Sequence, residues 1–174
     1  MKPLKLNLAG GYSRYTGYVN VDQLPTADLI HDITRPLPFA DNSVDEIFAS
    51  HVIEHFPRWQ IQDLLQDWCR VLKPKTGTFW GFVPDGWEVA KRYLEAVEKN
   101  DRYAKDVWIA NFCGGYTNNR YIGPGQIHYA VYDAVILAAD VAILRGILPS
   151  PAAIRIAHKD SNVVVAGGPD VIAA

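Results

Sequence analysis

The sequence predicts an α/β domain: a mostly parallel, seven-stranded sheet with an antiparallel last strand and helices on both faces. Three observations lead there. Short apolar runs alternate with stretches of helical periodicity, as in strand–crossover–strand units. The last two apolar runs are separated only by the turn-like Lys159-Asp160-Ser161, too short for a parallel return. The chain has 174 residues, 49% hydrophobic and 21% charged, which suits one globular domain spanning 1–174.

Leu4 to Leu8 reads as a first strand, ended by Gly10-Gly11. Tyr18 to Asp22 reads as a second, and Leu29-Ile30 as the centre of a short third that stops near Asp32. Gly11 to Tyr18 is shorter than the roughly dozen residues a helical parallel crossover needs, so the first crossover reduces to a loop or a single turn. Pro36 and Pro38 forbid a regular helix or central strand, and the turn signal Asp41-Asn42-Ser43 precedes a fourth strand at Glu46 to Ser50. From Gln60 to Leu72, the residues Ile61, Leu64, Leu65, Trp68, Val71 and Leu72 form one helical face, which Pro74 to Gly77 terminates. Thr78 to Val83 is a fifth strand, and Trp87 to Lys99 an amphipathic helix. Residues 101 to 127, rich in Gly, Asn and Tyr, carry no clear periodicity. Tyr132 to Ile147 reads as a helix stopped by Pro149, and Ala153 to Ala157 and Asn162 to Ala166 as the closing strands.

The bulk chemistry excludes several classes of function. A formal net charge of -2 gives no cationic field for a nucleic-acid backbone or an anionic membrane. The cysteines, Cys69 and Cys113, are far apart and form no CxxC pair, so neither a disulfide framework nor a thiolate zinc site is indicated. The opening MKPLKLNLAGGY lacks the apolar core of a signal peptide. The apolar stretch Ala134 to Leu148 contains Asp140 and Arg145 and is too short to span a bilayer. The expectation is a cytoplasmic protein acting on a small molecule, with no nucleic-acid or membrane partner.

In open parallel sheets ligands bind at the carboxyl ends of the strands. After the first strand, Ala9, Gly10 and Gly11 let backbone approach a ligand closely. After the second stands Asp22, whose carboxylate only accepts hydrogen bonds and matches the paired hydroxyls of a ribose. After the third come Asp32 and Ile33, an acceptor for an exocyclic amine beside an apolar group for a ring face. Ser50-His51 follows the fourth strand and Pro84-Asp85 the fifth.

Three segments, LNLAGGY…GYVNVD, HDI…PLPFADNSVDEIFASHVIEHF and RVLKP…GTF…VPD, resemble the class I S-adenosylmethionine-dependent methyltransferases, closest to the small type-11-like group. The strict motifs cover about the first half of the chain. The resemblance implies a Rossmann-like sheet with S-adenosylmethionine as cofactor. It implies the methionine moiety near Ala9, Gly10 and Gly11, the ribose on Asp22, the adenine near Asp32 and Ile33, and His51 lining the cofactor. Asn7 replaces the family's acidic residue and Ala9 its first glycine. The short first crossover, with no third glycine, argues against a dinucleotide, whereas S-adenosylmethionine has no phosphate needing a helix N-terminus.

Methyl transfer needs a general base only when the acceptor is a hydroxyl or a protonated amine. His51, His55 and His128 are candidates, with Asp85 as an acceptor-side carboxylate; His128, ahead of a helix and similar in place to a family histidine near the acceptor, is taken as the catalytic base. The expected acceptor is a small metabolite or a glycan sugar. A non-catalytic S-adenosylmethionine-binding module is one alternative. A zinc hydrolase is another, because His51-Val52-Ile53-Glu54-His55 matches HxxEH, which holds a metal when its histidines sit four apart on a helix. Tyr93, Tyr103, Trp108, Phe112, Tyr116, Tyr121, Tyr129 and Tyr132 either line an acceptor pocket or fill the core.

Overall fold

Five strands lie parallel in the order β3-β2-β1-β4-β5: β1 (Lys5–Leu8), β2 (Tyr18–Asp22), β3 (Leu29–Ile30), β4 (Glu46–Ser50) and β5 (Thr78–Val83). The structure, a computed structural model, describes residues 2–113, 116–117, 120–121, 153–158 and 164–167. A 3-10 turn (Ile53–His55) and helix α1 (Arg58–Val71) connect β4 to β5, and α2 (Gly86–Glu98) and α3 (Arg102–Cys113) follow β5. A small antiparallel pair, β6 (Tyr116–Thr117) with β7 (Arg120–Tyr121), and the strands β8 (Ala153–His158) and β9 (Val164–Gly167) complete the described elements. The fold is thus α/β on a parallel sheet, consistent with a Rossmann-like architecture. No helix among the described residues is long and apolar enough to cross a membrane.

Side chains alternate across a strand, so β1, β2, β4 and β5 each offer two different faces. Leu6, Leu8, Val21, Ile47, Ala49, Phe79 and Val83 share one apolar cluster with Ile61, Leu64, Leu65, Trp68, Val71 and Leu72 of α1 and its C-cap. The other face carries Phe48, which packs 4.3 Å from Trp80 and edge-on to Tyr15 and Phe82 at 5.2 and 6.1 Å between ring centroids. Glu46 sits below these rings, accepting from Trp80 Nε1 at 2.7 Å and from the Tyr18 hydroxyl, and pairing with Lys5 Nζ at 2.7 Å.

α1 begins two residues before the sequence signal, because Pro57 occupies its N-cap and leaves Arg58 free to start the turn. It ends at Val71; Leu72 turns extended and bridges Val44 at the start of β4. α2 starts one residue early because Asp85 caps it, accepting from the backbone N–H groups of Trp87 and Glu88 at 3.0 and 3.2 Å. α3 falls in the stretch whose composition hid its periodicity. The closing strands β8 and β9 overlap the expected Ala153–Ala157 and Asn162–Ala166, and each runs one residue further, to His158 and Gly167. The expected helix Tyr132–Ile147 lies outside the described residues.

The loop from Pro36 to Asp41 is held by α1. Arg70 donates to the carbonyls of Leu37 and Phe39 at 3.0 and 3.1 Å, to Asp41 at 2.6 Å and to Asp67 at 2.8 Å. Asp67 in turn accepts from the Leu37 N–H at 2.7 Å. Lys73 pairs with Asp45 at 2.7 Å, and Asp45 also accepts from the Leu4 N–H at 2.8 Å. The PLPFAD and RVLKP segments are therefore two halves of one clamp, whose Arg70 and Lys73 bind the loop and the start of β4.

Two stability predictions follow from the core and the Glu46 cluster. Trp68, 1% exposed and edge-on to Phe79, is the largest fully buried side chain among the described residues. Trp68→Ala should lose about 3–5 kcal/mol in urea unfolding. Burial pushes the Glu46 carboxyl up, but the bonds from Lys5, Tyr18 and Trp80 outweigh it and hold the group below its ordinary 4.5. A lowered carboxylate contributes stability above its unfolded pKa, and that contribution is lost as pH falls through the folded value. The melting temperature should fall on acidification below about pH 4.5, and Glu46→Gln should make that acid limb shallower.

Candidate functional site

The β1–β2 connection, residues 9–17, contains turns but no helix, as its length requires. Its polar groups are instead met by side chains from the strands. Asn7, 1% exposed, donates through Nδ2 to Asn20 Oδ1 at 2.9 Å and to the Ser13 carbonyl at 3.0 Å. Asn20 Nδ2 donates to the Gly11 carbonyl at 3.1 Å. The Gly11 N–H donates to Asp22 Oδ2 at 2.8 Å. Arg14 pairs with Asp28 at 2.7 Å, tying this loop to the one leading into β3. Asn7, where the family has an acid, is thus a structural donor.

Ala9 and Gly11 adopt positive φ, 49° and 56°, and Gly10 packs directly on the asparagine pair. A Cβ at Gly10 would lie 2.0 Å from Asn7 Nδ2 and 2.3 Å from Asn20 Oδ1, whereas a Cβ at Gly11 would meet nothing within 4 Å. The two glycines serve different ends: Gly10 supplies close approach, Gly11 a left-handed turn.

Asp22 is half-buried at the end of β2. Its Oδ1 accepts from the Leu24 N–H at 3.0 Å while Oδ2 binds Gly11. Each carboxylate oxygen has two lone-pair sites, so Asp22 keeps acceptor capacity for two hydroxyls. Asp32 accepts from the Thr34 hydroxyl and N–H at 2.7 and 3.0 Å. The Thr34 hydroxyl is the main reason its carboxyl lies below the ordinary range. Ile33, 6% exposed, lines a cavity of 480 Å³ with Thr34, Arg35, Pro36, Phe56 and the α1 residues Gln60, Asp63, Leu64 and Asp67. Asp32, Gly11, Asp22 and His51 do not line that cavity.

β4 ends in a strained turn. His51 has φ 55°, a left-handed conformation that costs a non-glycine residue about 1–2 kcal/mol. Its Nδ1 lies 3.1 Å from Oε1 of Glu54, which is 1% exposed. Among the described residues His51 Nε2, Glu54 Oε2, His31 Nε2 and Trp68 Nε1 are buried without a hydrogen-bond partner. A buried polar atom left unpaired costs about 1–3 kcal/mol. Trp68 of α1 lies in the core, whereas the other three follow the carboxyl ends of β3 and β4. The sequence singled out neither His31 nor Glu54 as a cofactor or acceptor contact, although both stand inside quoted motifs.

Sheet order brings Asp32, Asp22, the Ala9–Gly11 turn and His51 to consecutive carboxyl ends of β3, β2, β1 and β4. Asp85 follows β5, but is 8% exposed and engaged as the N-cap of α2, which argues against its acting on an acceptor. His128 lies outside the described residues. The zinc reading loses its premise: Ile53–His55 is a 3-10 turn and His51 precedes it in a left-handed turn, so the two histidines are not paired across one α-helical turn. Among the described residues no group of three or more His, Cys, Asp and Glu has metal-binding geometry.

Gly10→Ala should therefore destabilise by about 2–3 kcal/mol, since it overpacks the loop and breaks a buried carboxamide bond. Gly11→Ala should lose only about 1–2 kcal/mol, the cost of a left-handed alanine. Urea unfolding of both variants tests the ranking.

No curated protein matches this chain. Residues 17–79, from the end of the first crossover to the start of β5, match the family model described as a methyltransferase domain, Methyltransf_11, and that match is consistent with a class I S-adenosylmethionine-dependent methyltransferase.

Proposed function

We propose that the chain transfers a methyl group from S-adenosylmethionine to a small acceptor, a metabolite or a glycan sugar. The observation that carries this reading is an order. The carboxyl ends of β3, β2 and β1 succeed one another in space and carry, in turn, a carboxylate beside an apolar group, a carboxylate with free acceptor sites, and a tight glycine turn. Adenine, ribose and methionine are joined covalently in that same order. On this reading Asp32 and Ile33 take the adenine, Asp22 the ribose hydroxyls, and Ala9, Gly10 and Gly11 the methionine end. The match of residues 17–79 to a methyltransferase domain supports the same assignment.

The residues fit such a group. Asp32 is kept anionic by Thr34, which suits an acceptor for an amine. Next to Asp32, Ile33 opens on a cavity that Asp32 itself does not line, walled by Phe56, Leu64 and Pro36 together with the polar Thr34, Arg35, Gln60, Asp63 and Asp67. The sheet is read as seven-stranded with an antiparallel last strand. The parallel register of Ala153–His158 along Thr78–Val83 and the antiparallel register of Val164–Gly167 support that extension.

When bound, the sulfonium makes its methyl group electrophilic without help from the protein. The chain's own part is alignment: the Asp22 carboxylate would hold the ribose hydroxyls, and the Ala9–Gly11 turn would hold the methionine end. Alignment of this kind can supply much of a rate acceleration.

Calorimetry with S-adenosylhomocysteine tests the reading. The unaltered chain should bind it, and Asp22→Asn should bind at least about tenfold more weakly, because a charged acceptor of two hydroxyls becomes a neutral one. Absence of binding to the unaltered chain would overturn the assignment. Binding without transfer to any hydroxyl or amine acceptor would favour the non-catalytic module.

A further inference from the structure

We propose that Glu54 is a positioning residue that holds the proton of His51 on Nδ1, leaving the Nε2 lone pair to receive the proton of a hydroxyl methyl acceptor. The inference rests on the adenosyl reading above and extends it to the acceptor side.

Sheet order gives His51 its place. With adenine at β3, ribose at β2 and the methionine end at β1, the next strand in the same direction is β4. A side chain leaving the carboxyl end of β4 stands beyond the sulfonium, where an acceptor has to approach. His51 is the first residue past that end, and its N–H is anchored to the Phe82 carbonyl of β5 at 2.8 Å.

Glu54 gives His51 its chemistry. An ionised Glu54 accepts and does not donate, and with it the 3.1 Å contact between Glu54 Oε1 and His51 Nδ1 places the hydrogen on Nδ1. Nε2 is then the nitrogen with the lone pair. It is buried and has no hydrogen-bond partner among the described residues. The left-handed backbone at His51, a conformation that histidine adopts more readily than most side chains, accompanies the contact of the imidazole with Glu54. The proposal gives the proton-acceptor role to His51; His128, to which the sequence assigns it, lies outside the described residues.

The step balances. The acceptor oxygen forms its bond to the methyl carbon as the carbon–sulfur bond breaks with its electron pair left on sulfur, and the hydroxyl proton passes to Nε2. The products are a methyl ether, a neutral thioether and an imidazolium beside Glu54.

Nitrogen-15 NMR of the histidine rings in the full chain reads the tautomer directly, with His51→Asn used to assign its signals, since asparagine tolerates positive φ. His51 should show a protonated Nδ1 and a bare Nε2, and Glu54→Gln should abolish that preference, because an amide can also donate to Nδ1. A protonated Nε2 in the unaltered chain, or an unchanged tautomer in Glu54→Gln, would overturn the proposal. Saturation with S-adenosylhomocysteine, which brings no acceptor, should leave Nε2 bare. A shift of Nε2 to a hydrogen-bonded signal would make His51 a cofactor ligand and overturn its acceptor role. If S-adenosylhomocysteine does not bind at all, the adenosyl reading falls and the acceptor role with it, while the tautomer result still reports on Glu54.

Discussion

The buried carboxamide pair of Asn7 and Asn20 is the contact on which the candidate site depends. Two adjacent parallel strands are normally joined through a helix that satisfies its own backbone and covers the sheet. Residues 9–17 leave no room for one. The loop's backbone groups still need partners, and the two asparagines supply them from inside the sheet, one to Ser13 and one to Gly11. An aspartate at position 7 could not donate to Ser13. The departure from the family's acidic residue and the shortened crossover are thus one adaptation. Gly10 belongs to it as well, because the asparagine pair occupies the space that any Cβ would need.

That arrangement also fixes Asp22. Its carboxylate is oriented by Gly11 on one oxygen and Leu24 on the other, so its direction is set before any ligand arrives. Binding a hydroxyl pair then requires little further ordering of the side chain. Asp32 is fixed in the same manner by Thr34. Two carboxylates on neighbouring strand ends are held by local donors rather than by lysine or arginine side chains at close range, for Arg35 stands 3.8 Å from Asp32 and mostly in solvent. Both remain usable as acceptors.

Much of the sheet was legible in the sequence because its strands are short apolar runs bounded by Gly, Pro or Asp. β2, β4 and β5 fall at the expected residues, and the loop character of residues 9–17 followed from length alone. The helix ends were less legible, since Pro57 and Asp85 act as caps only once the chain around them is folded. α3 was hidden because Arg102–Cys113 mixes aromatic and charged residues with weak one-sidedness. The most specific motifs turned out to work at a distance from the strand-end site. Arg70, Asp41, Lys73 and Asp45 join the Pro36–Asp41 loop, α1 and the start of β4, and so hold the scaffold. Their spacing advertises a family because a clamp needs both of its halves.

The histidine turn shows the converse. HVIEH looks like a helical metal motif in one dimension, because spacing alone does not reveal a backbone reversal at its first residue. Once His51 takes a positive φ, the i to i+3 neighbour Glu54 comes within reach of Nδ1, and His55 falls on a separate turn. The strain and the buried carboxylate then support one another. The left-handed backbone carries the imidazole back over the 3-10 turn, and Glu54 gives it a partner there. A structural histidine would be expected to pair both of its nitrogens inside the fold. His51 pairs one, and its buried Nε2 has no partner among the described residues, as the proposed acceptor role requires.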